Sequence, residues 1–190
     1  SEIEHPAVSK VLKEIEIYGI EVSTISVNDQ GVVKIEELID LIRDETTLVS
    51  VMMANNEIGA IQPIKKIKQI LKKYKIPLHT DAVQALGKIK VDVKELDVDY
   101  LSLSAHKFYG PKGIGALYVK DKDDLGSLII GGNQESGVRG GTENISGIIG
   151  MGLAAELVTK NQDRWIKNLK KLERYFLEKV EHHLPHAIHH

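Results

Sequence analysis

The sequence predicts an α/β domain built on a mostly parallel sheet covered by helices on both faces. Three observations predict it. Short apolar runs at 47–54, 76–80 and 100–103 alternate with longer stretches whose apolar residues recur every three or four positions. The runs are nearly all apolar, as expected of strands covered on both sides by helices. Each run also stops abruptly at polar residues: Asn55-Asn56-Glu57, Asp81, and Ser104 with His106 and Lys107. Open α/β sheets bind ligands in the crevice beyond the carboxyl ends of their strands, so three polar endings at one edge mark the expected site.

Composition sets the outer bounds. A chain of 190 residues, 42% hydrophobic, can bury one sizeable core. A net charge of −2 and a pI near 6.4 exclude a basic field for nucleic acid and a polybasic patch for a membrane surface. No apolar run is long enough to span a bilayer, and Ser1 to Pro6 carry no signal-peptide pattern, so the expected location is cytoplasmic. Cysteine is absent, which excludes disulfides, thiolate metal sites and a thiol nucleophile among these residues.

Pro6 suits the first position of a helix, with His5 as the residue before it. Val8, Val11, Leu12 and Ile15 follow at helical spacing until Gly19 stops the run. Residues 20–27 read as a strand, and Asn28-Asp29-Gln30-Gly31 as the turn that reverses it. Ile35, Leu38, Ile39 and Ile42 predict an amphipathic helix with Glu36, Glu37 and Asp40 toward water. After the strand at 47–54, Pro63 opens a helix with Ile64, Ile67, Ile70, Leu71 and Tyr74 inward and its lysines outward.

Period-two alternation in the next strand puts His79 and Asp81 on one side and Thr80 on the other. His79 reads as a satisfied core histidine in preference to a support for the site. A short helix is expected near Val93 to Leu96, and then the strand that delivers Ser104, His106 and Lys107. Gly110, Gly113 and Gly115 permit a tight return into a strand at 116–119. This spacing is not a dinucleotide fingerprint, which must open a helix. Gly131 to Thr142 is a glycine-rich loop, and a long helix follows with Ile148, Ile149, Leu153, Leu157, Trp165, Leu169, Leu172 and Phe176 as its apolar positions. His182, His183, His186, His189 and His190 crowd the end, where Pro185 breaks the register that would pair them. This is read as a frayed tail, with no metal site expected.

A lysine just past a buried strand can be partly desolvated, as a Schiff-base lysine requires. With an acid, a hydroxyl and a histidine beside it, the set is the kit by which proteins hold pyridoxal phosphate. The blocks Glu4-His5-Pro6-Ala7-Val8, Asn55-Asn56-Glu57-Ile58-Gly59, His79-Thr80-Asp81-Ala82-Val83-Gln84, Ser104-Ala105-His106-Lys107-Phe108-Tyr109-Gly110-Pro111-Lys112-Gly113 and Arg139-Gly140-Gly141-Thr142 resemble the cysteine desulfurases, class V, fold-type I PLP enzymes. They recur in family order from Glu4 to about residue 158.

The resemblance implies a partial fold-type I PLP-transferase large domain over 1–158, with 159–190 as a long helix and tail leading toward a small domain. It implies pyridoxal 5'-phosphate as cofactor and L-cysteine as substrate, converted to L-alanine with transfer of sulfur to an acceptor protein. By resemblance Lys107 is the covalent attachment point and a catalytic residue, and His5, also catalytic, stacks on the ring. Asn56 lies by the phenolic oxygen, Asp81 pairs with the pyridinium, Gln84 bonds the ring hydroxyl, and Ser104 and His106 bind phosphate. The loop ending at Thr142 crosses a homodimer interface, so that Thr142 reaches the partner's cofactor phosphate. The family's phosphate-capping upstream loop, its substrate-carboxylate arginine and its persulfide cysteine are not among these residues. Two alternatives stay open on the same motifs: another class V enzyme, such as a selenocysteine lyase or an aminotransferase, or a non-catalytic fragment that dimerises or binds a partner.

Overall fold

The computed structural model describes residues 1–121 and 125–187. Its centre is a four-stranded sheet in the order β1 (Val49–Ser50), β2 (Leu78–Asp81), β3 (Tyr100–Ser104) and β4 (Gly115–Val119). The first two pairings are parallel and the last is antiparallel. The mostly parallel α/β sheet read from the sequence is therefore present, with an antiparallel strand at one edge.

Strand alternation divides the sheet into two unlike faces. Val49, Val51, Met53, Leu78 and Leu101 point to one face and form a core with Leu38 of α2 (Ile35–Leu41) and Ile64, Ile67 and Leu71 of α3 (Ile64–Tyr74). The half-buried Val93 and Leu96 of α4 (Val93–Leu96) complete it. The opposite face carries Ser50, His79, Asp81, Ser102 and Ser104, since Ser50 pairs with His79 and Asp81 with Ser102 in register. The segment from Ser1 to Glu4 reaches this polar side, where Met52 N donates to Glu4 Oε1 at 2.7 Å.

A second, smaller core joins the turn after β3 to the long helix α5 (Ile145–His183). Ala105 and Phe108 from the turn meet Ala154 and Val158 from the helix, with Met151, Ala155 and Trp165 packed around them. Tyr109 stacks edge-on against Trp165 with ring centroids 5.3 Å apart. Gln162 Nε2 adds a bond to Ile89 O at 2.6 Å.

Several expectations are corrected here. Residues 20–26 form no strand; Val27 makes a single bridge to Val33, and the backbone of 25–26 bonds to Glu2 and Lys34. The apolar run misled because Ile25 is buried in the main core without pairing in a ladder. The strand expected at 47–54 is regular over Val49–Ser50, although Val51 N and Met53 N continue to donate to His79 O and Asp81 O. Ile39 and Tyr74 are exposed. Glu37 does not face water freely, because its carboxylate binds both the backbone N–H and the hydroxyl of Ser26, which lowers its pKa. Nor do all the lysines of α3 face outward: Lys68 is buried and pairs with Asp99, whose Oδ2 also accepts from Leu78 N at 2.7 Å.

The long helix α5 is present as expected, but its apolar spacing does not show which residues it buries. Ile148, Ile149, Leu153, Leu157, Leu169, Leu172 and Phe176 are all exposed, while the helix buries Gly147, Ala154 and Val158. The small residues make the contact because they let the helix approach the turn closely: a Cβ at Gly150 would come within 2.8 Å of Pro111. The helix ends at His183, with the rings of His182 and His183 4.8 Å apart. His189 and His190 lie outside the described residues. Among the described residues no helix is long and apolar enough to cross a membrane.

Candidate active site

The three parallel strands finish at one edge of the sheet, and each hands over to a short polar segment. After β1 the chain turns through Asn55 and Asn56. Asn55 closes this turn itself, its Oδ1 accepting from Glu57 N at 2.8 Å and Ile58 N at 2.9 Å. Asn56 is left exposed beside it.

At the end of β2, Asp81 is buried at 8% exposure. Its Oδ1 accepts from Val83 N at 2.9 Å, which turns the chain toward Gln84. Behind it, His79 Nδ1 lies 2.8 Å from Ser50 Oγ and His79 Nε2 lies 2.8 Å from Ser102 Oγ, so one histidine links three strands. A neutral imidazole has one donor and one acceptor, and two hydroxyls can satisfy both. Burial lowers the His79 pKa, against a smaller upward pull from Asp81 and Glu4.

Beyond β3, Ser104 Oγ lies 3.0 Å from His106 Nδ1, and both sit with Lys107 on a 3-10 turn over Ala105–Phe108. The turn is closed by Gly110 N donating to Ala105 O at 2.8 Å. A Cβ at Gly110 would meet that same carbonyl oxygen at 3.0 Å and Ala105 Cβ at 2.9 Å, so this close approach needs glycine. Phe108, buried against α5, pins the turn from behind, which leaves the Lys107 side chain exposed at the crevice.

His5 caps α1 (Pro6–Ile15), with Pro6 at its first position as the sequence predicts. Ala7 N donates to His5 Nδ1 at 3.1 Å, so in the neutral ring the proton sits on Nε2. The preceding residues reach the β1 end: Asn55 Nδ2 donates to Ile3 O at 3.0 Å. The structure thus gathers Asn56, Asp81, Gln84, Ser104, His106 and Lys107 at one edge, with His5 tethered beside them. Thr142 is exposed, and among the described residues no hydrogen bond ties it to that edge.

One residue that sequence reasoning missed is Lys88. Its Nζ donates to Gln84 Oε1 at 2.7 Å and to Gln84 O at 3.2 Å. A lysine offers only donors, so this contact assigns the oxygen end of the Gln84 amide and leaves its NH₂ group available. Burial and the nearby charge of Lys107 lower the Lys88 pKa. The spacing of four residues from Gln84 was the available signal, hidden in a lysine-rich chain. Ser50 and Ser102 were also missed, because a strand serine carries no mark of its partner. Chemically, the edge can bind a dianion through Ser104 and His106, hold a protonated ring nitrogen on Asp81, and present an amine at Lys107. Among the described residues no group of three or more His, Asp or Glu is placed to hold a metal ion.

Comparison with known proteins now becomes decisive, because the profile of the family described as "Aminotransferase class-V" matches residues 1–186. The chain belongs to that family. Its class-V relatives include the protein named "Cysteine desulfurase IscS" from Dictyoglomus turgidum, 49% identical over 181 residues, a match covering 95% of this chain and 46% of that one. Among solved structures, one titled "NIFS-LIKE PROTEIN" superposes with a TM-score of 0.92 at 42% identity, over 95% of this chain and 50% of that one. Another, titled "SspA in complex with cysteine", gives 0.79 at 42% identity over 82% and 46%. The chain spans about half the length of the class-V relatives it matches.

Proposed function

We propose that this chain carries part of the large domain of a pyridoxal phosphate-dependent cysteine desulfurase, with 1–158 in that domain and 159–190 leading toward a second one. The observation that carries the reading is the shared strand edge, where Asp81 ends one strand and Ser104, His106 and Lys107 end its parallel neighbour. The donor set fits the cofactor. Asp81 keeps Oδ2 for a pyridinium N–H, the amide NH₂ of Gln84 and the exposed Asn56 suit a phenolic oxygen, and Ser104 and His106 suit a phosphate.

When bound, pyridoxal phosphate supplies a protonated pyridine ring that takes up the electron pair released at the substrate's α-carbon. Asp81 holds the proton on the ring nitrogen, and its carboxylate is positioned for that by the Val83 N–H. Lys107 supplies the amine for covalent attachment and can carry a proton to and from the α-carbon. His5 would stack on a bound ring, with Nε2 as its proton-bearing atom. Thr142 would reach the phosphate of a second copy across a homodimer interface.

The substrate is L-cysteine, the ligand named for one structural relative. A thiolate attacks its sulfur and forms the S–S bond of a persulfide, the electron pair of the broken carbon–sulfur bond stays on carbon and is protonated, and L-alanine leaves. With no cysteine among the 190 residues, that thiolate belongs to another polypeptide or to residues outside these. The downstream acceptor is a sulfur-carrying protein of the kind that assembles iron–sulfur clusters, and the location is cytoplasmic. Borohydride reduction of the chain with pyridoxal phosphate, followed by peptide mapping, tests the reading. The pyridoxyl label belongs on Lys107; label on Lys112 or Lys88 instead overturns it.

A further inference from the structure

His5 and Asn56 are both exposed, yet the residue immediately before each is tied down. Glu4 is buried, and its Oε1 accepts from Met52 N at 2.7 Å and from Ser1 Oγ at 2.6 Å. Its Oε2 is buried with no partner. Leaving a buried carboxylate oxygen unsatisfied is costly, so Oε1, which also pairs with the Ser1 amino group at 3.2 Å, carries the partners that offset the burial of Glu4. Asn55 uses both ends of its amide. The oxygen takes two backbone N–H groups of its own loop, Glu57 and Ile58, and the nitrogen donates across to Ile3 O at 3.0 Å. These partners leave only one orientation for the amide.

The two contacts join the same two segments. Ile3 and Glu4 directly precede His5, and Met52 and Asn55 precede Asn56. Each segment is therefore bonded to the other within one turn of a site residue. His5 has one further bond, from Ala7 N to Nδ1, which fixes its ring once its backbone is placed. We propose that Glu4 and Asn55 are positioning residues that clamp the start of α1 to the loop after β1, setting His5 and Asn56 at one fixed separation. The proposal rests on the cofactor reading above for what that separation serves, but not for the clamp itself.

The substitutions separate the clamp from the loop. Asn55→Asp keeps both acceptor bonds within the loop, deletes the donor to Ile3 O and sets an oxygen against that carbonyl. Glu4→Ala deletes the Met52 bond, whereas Glu4→Gln retains an acceptor of the same length. The first readout needs no cofactor: nitrogen NMR of the His5 imidazole, assigned against His5→Ala, together with exchange of the Ala7 amide. In Asn55→Asp and Glu4→Ala the Nδ1 acceptor signature should be lost and Ala7 exchange should quicken, and Glu4→Gln should restore both. The second readout is visible circular dichroism after adding pyridoxal phosphate, which should fall in the same variants.

If Glu4→Ala fails to fold, Asn55→Asp decides alone. Wild-type His5 signals and Ala7 exchange in Asn55→Asp, with only the melting temperature lowered, would overturn the proposal. Absence of visible dichroism in the wild-type chain would count against the cofactor reading, while the His5 measurement would still decide the clamp.

Discussion

Asp81 shows how one side chain can be both buried and available. One oxygen turns the chain toward Gln84 and the other remains for a ring nitrogen. Asp81→Asn keeps the acceptor for Val83 N, so stability should change by no more than about 1 kcal/mol. The absorbance of bound pyridoxal phosphate should shift, because an amide cannot hold the ring nitrogen protonated. A large fall in melting temperature with an unchanged spectrum would make Asp81 a structural acid only. His79 gives a pH dependence of defined sign. Its folded pKa lies below its ordinary 6.5 because burial disfavours the charge, so the unfolded chain binds the proton first. Stability contributed by neutral His79 is present above that ordinary value and lost as pH falls below it toward the folded value. Melting curves from about pH 7 to about pH 5.5 should show this loss in the wild type and less of it in His79→Asn. That His79 shares a side with Asp81 was legible from strand alternation, though it lies half-buried on that polar face and not in the core expected for it. The two serines that satisfy it were not legible, because register between strands is a tertiary fact.

At the level of elements, the sequence shows where strands end better than where they begin. The polar stops at Asn55, Asp81 and Ser104 were readable because a buried run cannot continue through charge and amide groups without partners. The missing strand at 20–27 and the short β1 were not, since an apolar run reports burial and not its ladder partner. The helix α5 was readable as a helix from its apolar spacing, but the residues it buries were not: its large apolar residues are exposed, and Ala154 and Val158 meet the lysine turn. Val158→Ala should therefore destabilise by about 2 kcal/mol, and Leu153→Ala, at 56% exposure, by less than about 0.5 kcal/mol, as read from urea unfolding of the isolated chain. The turn bearing Lys107 should be equally selective. Gly110→Ala forces a Cβ against the Ala105 carbonyl, and it should reduce labelling of Lys107 by borohydride and cofactor more than it lowers the melting temperature. Loss of both in proportion would show that the turn acts only through folding.

For the whole molecule, the resemblance made fold and site legible together, since five short blocks in order carry both. It could not say which apolar surface stays uncovered. Ile149, Leu153 and Leu157 on α5 are exposed, as are Leu128 and Ile130 in the preceding loop. With no thiol among the 190 residues, the purified chain with cofactor and L-cysteine should transfer no persulfide, as checked by intact-mass analysis.

The long helix carries a consequence for motion. At 1.5 Å per residue its 39 residues extend about 58 Å, yet its fully buried residues end at Val158, its packing against the domain runs on through Gln162 and Trp165, and beyond Trp165 most side chains are exposed. Backbone hydrogen bonds there are held by the helix alone, and isolated helical stretches are marginal in water. Deuterium should enter the amides from 170 to 183 within seconds and those near 154 to 158 only as slowly as the domain itself opens. The same rod would thus be rigid at the lysine turn and pliant at its far end, a built-in gradient along which a force applied at residue 183 fades before it reaches Phe108.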